Sequence, residues 1–171
     1  MASGDEIPAP NFTLIAEGLD VAPALAELAT LPDYYWLQIN ADLSVYVRLL
    51  ANDGASVLEM ELPETWRLIA TVRTILTERH GDTGTFTHCR VGRMPPGEGL
   101  APHFDGIDAR RERRYQLALQ SAPGVELTVG GEMKCPRPGE VWRIDASRTH
   151  SAWNHSPIDR ITILFDMVDE E

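Results

Sequence analysis

RRYQLALQSAPGVELTVGGEMKCPRPGEVWRI, residues 113–144, alternates apolar and polar side chains in short runs and breaks each run with glycine or proline. Neighbouring side chains of a strand point to opposite faces, so such runs read as half-buried strands joined by tight turns. The same texture extends on both sides. Strands are expected at Thr85–Met94, Arg113–Gln120, Val125–Val129, Glu140–Ile144, His150–Asn154 and Arg160–Val168. Gly97, Gly99, Gly124, Gly130-Gly131, Pro136, Pro138-Gly139 and Pro157 punctuate them. Many short strands with close turns indicate an antiparallel sandwich or barrel.

Before Gly81 the pattern is different. A short strand is expected at Phe12–Ala16, after a loose Met1–Pro10. Asp20 is placed to cap a helix over Val21–Ala29, with Pro23 accommodated in its first turn. Tyr34–Ile39 is an aromatic stretch suited to pairing or to covering a core edge, and Asn52-Asp53-Gly54 is a turn signal. Leu68, Ile69, Val72, Ile75 and Leu76 recur at helical spacing within Glu64–Arg79, between Pro63 and Gly81. The expected fold class is mostly β with N-terminal helices: a helical support over 1–80 packed against a jelly roll over 85–168, in one domain of 1–171.

The 171 residues carry 15 Lys+Arg against 26 Asp+Glu, a formal charge of −11, which disfavours nucleic acid and anionic membrane surfaces as partners. The acidity is uneven. Residues 90–160 hold ten Arg and one Lys against nine acids, so an anion is sought there. Cys89 and Cys135 make no disulfide framework and are read as reduced, idle thiols. With no leader and no long apolar run, a cytoplasmic protein without membrane attachment is expected, and the sequons at Asn11 and Asn154 are read as chance.

His103-Phe104-Asp105 sets an imidazole and a carboxylate two residues apart, on one face if the segment is a strand. His150 follows 47 residues later. Two histidines and one carboxylate on one side of a metal leave the opposite positions open, as in non-haem Fe(II) oxygenases. On the last strand Arg160 shares a face with Thr162 and Leu164. An arginine turned into a sheet interior is costly unless it meets an anion, and its fork matches a carboxylate in two parallel hydrogen bonds. A keto-diacid fits that pair of anchors, metal at one end and guanidinium at the other.

The stretch Arg93–Asp166 resembles the aspartyl/asparaginyl β-hydroxylase family, which includes bacterial proline hydroxylases of the Fe(II)/2-oxoglutarate class. The resemblance rests on Pro95-x-Gly97, Pro102-His103-Phe104-Asp105 and Arg114-Tyr115-Gln116-Leu117-Ala118-Leu119. Gly139-Glu140-Val141-Trp142, Asp145-x-Ser147-x-x-His150-x-x-Trp153-Asn154 and Arg160 with its β-branched run complete it. It covers about 75 of the 171 residues, in order. It implies a double-stranded β-helix in which His103, Asp105 and His150 hold Fe(II) and Arg160 holds the far carboxylate of 2-oxoglutarate. Animal members lack the carboxylate at the position of Asp105, so this chain looks closer to bacterial amino-acid hydroxylases. Gln116 stands where several relatives have a histidine that helps the cosubstrate. The resemblance assigns Arg114 to a substrate carboxylate, with Arg113 taking that role if the register slips by one. Trp153, Trp142 and Phe104 are candidate pocket walls. Ser147, also placed on the cosubstrate side, and Asn154 are candidates to orient the imidazoles. The reaction implied consumes O2 and 2-oxoglutarate, releases succinate and CO2, hydroxylates an unactivated C–H bond, and is supported by a reductant such as ascorbate. The substrate expected is an amino acid, free or in a short peptide, of Asp, Asn or Pro type.

Other candidates are set aside. His155 reads as a solvated loop residue, His80 as a cap at the end of the long helix, and His88-Cys89 as strand neighbours facing opposite ways. The cluster Arg110, Arg111, Arg113 and Arg114, interleaved with acids, reads as a loop over the substrate. The alternative function is a cupin-like metal-binding jelly roll that does not use 2-oxoglutarate, and a zinc hydrolase is a more distant one.

Overall fold

Alternation along the C-terminal strands sorts their side chains onto two faces, and the layers of the molecule follow from that sorting. The computed structural model describes residues 9–38, 45–51, 55–105 and 112–169. In chain order these form β1 (Phe12–Ala16), α1 (Ala22–Thr30), a 3-10 turn (Asp33–Tyr35), β2 (Leu37–Gln38), β3 (Val45–Arg48) and α2 (Pro63–His80). There follow β4 (Thr85–Met94), β5 (Gly99–His103), β6 (Glu112–Gln120), β7 (Val125–Val129), β8 (Glu132–Lys134), β9 (Val141–Ile144), β10 (His150–Asn154) and β11 (Arg160–Val168). A seven-stranded sheet runs β1-β9-β6-β11-β4-β3-β2 and a four-stranded sheet runs β5-β10-β7-β8. Their strand pairs are antiparallel. This is the expected mostly-β jelly roll with two supporting helices.

The helices cover the outer face of the large sheet. Tyr115, Leu117 and Leu119 of β6 and Ile163, Phe165 and Met167 of β11 meet Leu68, Ile69, Val72 and Leu76 of α2 and Ala24 and Leu28 of α1 in one buried cluster. Each fully buried side chain of this size contributes about 1.5–3 kcal/mol, so this layer carries most of the stability. The intervening residues of the same strands face the smaller sheet. A second cluster, Phe12, Met94, Leu127, Val129, Ile144 and Ala152, closes the space between the sheets.

Helix boundaries follow local chemistry. Pro63 opens α2, where its missing N–H costs nothing, and Gly81 closes it in the left-handed conformation at φ 65°. The N-terminus of α2 has no capping side chain of its own. Glu27 of α1 supplies one, accepting from the backbone N–H of Thr65 at 2.8 Å and also from Glu64. Asp20 differs from its expected role: Val21 is the N-cap of α1, while the Asp20 carboxylate accepts from Ala22 N–H at 3.1 Å. His80 is not a cap either, since its Nε2 donates to the Ile15 carbonyl at 3.0 Å and ties α2 to β1.

Strand β2 falls within the Tyr34–Ile39 stretch expected to pair, and it pairs with β3; β3, β5 and β8 are additional to the strands expected. β5 holds Gly99, which reads as a breaker, and Pro102, but it is an edge strand, where proline is tolerated. The Asn52-Asp53-Gly54 turn, the residues Arg110 and Arg111, Ile39 and most of Met1–Pro10 lie outside the described residues.

Asp82, just beyond α2, fastens the outer face. Burial pushes its carboxyl up, but hydrogen bonds from Arg113, Tyr115 and the Gly84 N–H outweigh that and hold it below the ordinary value. The unfolded chain therefore binds the proton more readily, and the stability from ionised Asp82 is present above about pH 4 and lost as pH falls through the folded value. Denaturant unfolding at neutral and acidic pH checks this. Asp82→Asn is expected to be less stable than the parent at pH 7, with the gap narrowing as pH falls; a gap independent of pH contradicts it.

Candidate metal and cosubstrate site

The register of two strands brings the histidines together. His103 ends β5, His150 begins β10, and the pair lie directly opposite each other. Their ring centroids are 4.3 Å apart. Each Nδ1 faces a carbonyl, Ala101 at 2.8 Å and Arg148 at 2.9 Å, and a carbonyl only accepts, so both Nδ1 atoms carry the proton. Each Nε2 is then left with a lone pair. Burial pushes His150 below the usual histidine range; the hydrogen bond to the Arg148 carbonyl opposes this, while nearby His103 and Arg114 add to it, the direction that metal ligation favours. Asp105 lies beyond the end of β5, with its Oδ1 3.4 Å from His103 Nε2 and its Oδ2 3.6 Å from His150 Nε2. One ligand atom from each residue falls within 4.8 Å of the other two. Two imidazoles and a carboxylate converging from one side fit a divalent iron with open positions opposite.

Arg160 sits farther along the same interior. It lines a cavity of about 140 Å³ with Met94, Leu100, Ala152, Thr162 and Leu164. Its guanidinium donates to Gln116 Oε1 at 2.9 Å, and among the described residues no carboxylate contacts it. Desolvation pushes its pKa down to about 10. Gln116 thus meets Arg160, and the two residues occupy one end of the interior while Arg114 and Asp105 occupy the other.

The other expected residues separate. Arg114 faces the triad, with Nε and Nη2 on the two Asp166 oxygens at 2.7 Å each and Nη1 on Asp105. Arg113, its strand neighbour, points to the opposite face, where it donates to Asp82 at 2.7 Å and pairs with Asp169 at 2.8 Å. That removes Arg113 from the substrate side. Trp153 is likewise turned away from His150 by strand alternation; it stacks parallel on His155 and lies against Gly99, where an added Cβ would fall 2.1 Å from the indole. It is no wall of this site. Ser147 does not orient an imidazole, since its hydroxyl donates to Asp145 at 2.5 Å. Asn154 instead donates to the Met94 and Ile158 carbonyls at 2.8 Å. The backbone carbonyls of Ala101 and Arg148 do the orienting. Phe104 is exposed, whereas Trp142 lies in the interior, edge-on to Phe12.

One feature of the site was missed by sequence reasoning. A basin of about 480 Å³ is lined by Tyr46, Arg48, His88 and Arg90, among others, and shares Tyr46 and Arg90 with the Arg160 cavity. Arg90 is pushed below its ordinary pKa by burial and by Arg114, and its guanidinium lies over the Tyr46 ring at 5.9 Å. The alternation of Thr85–Met94 carried the signal, because it places His88, Arg90 and Gly92 on one face and Cys89 and Val91 on the other. Cys89 is buried and its thiol is pushed up to about 12 by desolvation, so it is inert.

A family model described as aspartyl/asparaginyl β-hydroxylase matches residues 44–170. The human aspartate β-hydroxylase domain-containing protein 2 is 27% identical over 123 residues, which are 69% of this chain and 31% of that protein. The chain thus spans about a third of that relative's length. Among solved structures, an oxidoreductase of the 2OG-Fe(II) oxygenase family from Burkholderia pseudomallei superimposes with a TM-score of 0.68 at 15% identity, covering 92% of this chain and 84% of that one. A prolyl-4-hydroxylase from Pseudomonas putida gives 0.63 at 15% identity, covering 94% of each chain. Among the described residues no helix is long and apolar enough to cross a membrane.

Proposed function

The chain belongs to the aspartyl/asparaginyl β-hydroxylase family, and from that premise we propose that it is an Fe(II)- and 2-oxoglutarate-dependent hydroxylase of an amino acid, free or within a peptide. The observation that carries this reading is the pairing of the converging triad with Arg160, a guanidinium that faces a small interior cavity and meets no carboxylate among the described residues. A cupin-like protein that binds only a metal has no use for such a cation.

His103, Asp105 and His150 would hold the iron, and Arg160, steadied by Gln116, would hold the distal carboxylate of 2-oxoglutarate. When bound, iron and 2-oxoglutarate supply the oxidising power that inserts one atom of dioxygen into a C–H bond, with succinate and CO2 released. What the chain's own residues do is hold and exclude. Met94, Leu100, Ala152 and Leu164 keep the cosubstrate cavity apolar along its sides, which strengthens the pairing of Arg160 with a carboxylate. No side chain is asked to donate or accept a proton in the reaction. The basin lined by Tyr46, Arg48, His88 and Arg90 would receive the substrate, and its basic lining favours an acidic amino acid over proline.

The test is a panel of free amino acids and of Asp-, Asn- and Pro-containing peptides, incubated with protein, Fe(II), ascorbate and 2-oxoglutarate. At least one acidic member is expected to stimulate succinate release and to gain one oxygen atom by mass. Absence of succinate, basal or stimulated, contradicts the proposal.

A further inference from the structure

We infer that Arg114 and Asp166 form a positioning pair that holds the carboxylate of Asp105 in place for the metal. The inference rests on the reading of His103, Asp105 and His150 as a metal site. Asp105 needs such help. It lies two residues past the last residue of β5, so no strand ladder orients it. Arg114 reaches it from β6, and its own orientation is set by Asp166 on β11 through two parallel hydrogen bonds of 2.7 Å. β11 is hydrogen-bonded on both sides, to β4 and to β6, and Asp166 is only 2% exposed. The pair therefore transmits the rigidity of the middle of the large sheet to a ligand lying outside it.

Two further features fit this role. Each of the three guanidinium nitrogens of Arg114 is in contact with a carboxylate oxygen and the side chain is buried, which fixes the fork between Asp166 and Asp105. The charges also balance. Arg114 and Asp166 cancel, so Asp105 is oriented without loss of the site's net negative charge, which an unpaired arginine beside a divalent cation would remove. One Asp105 oxygen is engaged by Arg114, leaving the other for the cation.

Cobalt(II) added to the metal-free protein, followed by visible absorption, tests this without a substrate. Replacing one partner alone strands a buried charge, so the main variant removes both, Arg114→Met with Asp166→Leu. Its cobalt affinity is expected to fall by about 10- to 100-fold, and its cobalt spectrum to approach that of Asp105→Ala. In an Asp105→Ala background the double replacement is expected to cost nothing further, which a merely structural role does not predict. Arg114→Lys, a cation without the fork, should restore only part of the loss. Unchanged cobalt affinity in the double variant, or an equal loss with and without Asp105, overturns the inference. Failure of the parent protein to bind cobalt overturns the metal reading, and this inference with it.

Discussion

Arg160→Leu is expected to raise the 2-oxoglutarate concentration needed for half-maximal succinate formation by about 30-fold or more, because removing one partner of a buried charge pair costs about 2–5 kcal/mol. Iron binding should be unchanged, since the guanidinium contacts Gln116 and no metal ligand. The stability of the protein without cosubstrate should move the other way. In that state Arg160 is a desolvated cation with no carboxylate among the described residues, and leucine removes its desolvation penalty. The melting temperature without 2-oxoglutarate is therefore expected to hold or rise, while the stabilisation conferred by added 2-oxoglutarate disappears. An unchanged 2-oxoglutarate requirement would place the anchor elsewhere.

The second large effect concerns the histidines. His103→Ala and His150→Ala are each expected to reduce iron in the purified, reconstituted protein to background and to abolish 2-oxoglutarate turnover. Both rings donate Nδ1–H to a carbonyl in their own strand or its approach, so each Nε2 is aimed before any metal arrives. Loss of either leaves one imidazole and one carboxylate, too few to compete with water for the ion. The two variants should differ in stability: His150 is buried, so its truncation leaves a cavity, whereas His103 is on an edge strand and partly exposed. Normal iron content in both variants would refute the ligand assignment.

Much of this was legible in the sequence because it is local. Strands β4, β7, β10 and β11 fall at the expected residues, and β6 differs by one residue, because their alternation and bounding glycines and prolines are short-range signals. The helix through Leu68, Ile69, Val72 and Leu76 announced its buried face by spacing alone. Strand β5 was hidden because an edge strand tolerates Gly99 and Pro102, which elsewhere end strands. The triad was readable as a set of residue types, but the partner of Arg114 was not. Asp166 lies 52 residues away, and only the pairing of β6 with β11 brings the two together. Choosing between Arg113 and Arg114 needed only the parity of β6, and that parity becomes usable once Tyr115, Leu117 and Leu119 are seen to face the helices. The Arg90 basin depends on β3 joining β4, so it required the tertiary fold.

The triad and Arg160 are proposed to form one iron and 2-oxoglutarate centre. Anaerobic titration of 2-oxoglutarate into the Fe(II)-loaded protein, followed by calorimetry, measures that directly. The account predicts saturable binding at one molecule per chain, lost when iron is withheld and lost in Arg160→Leu. Absence of binding to the iron-loaded protein, or binding indifferent to both iron and Arg160, would contradict it.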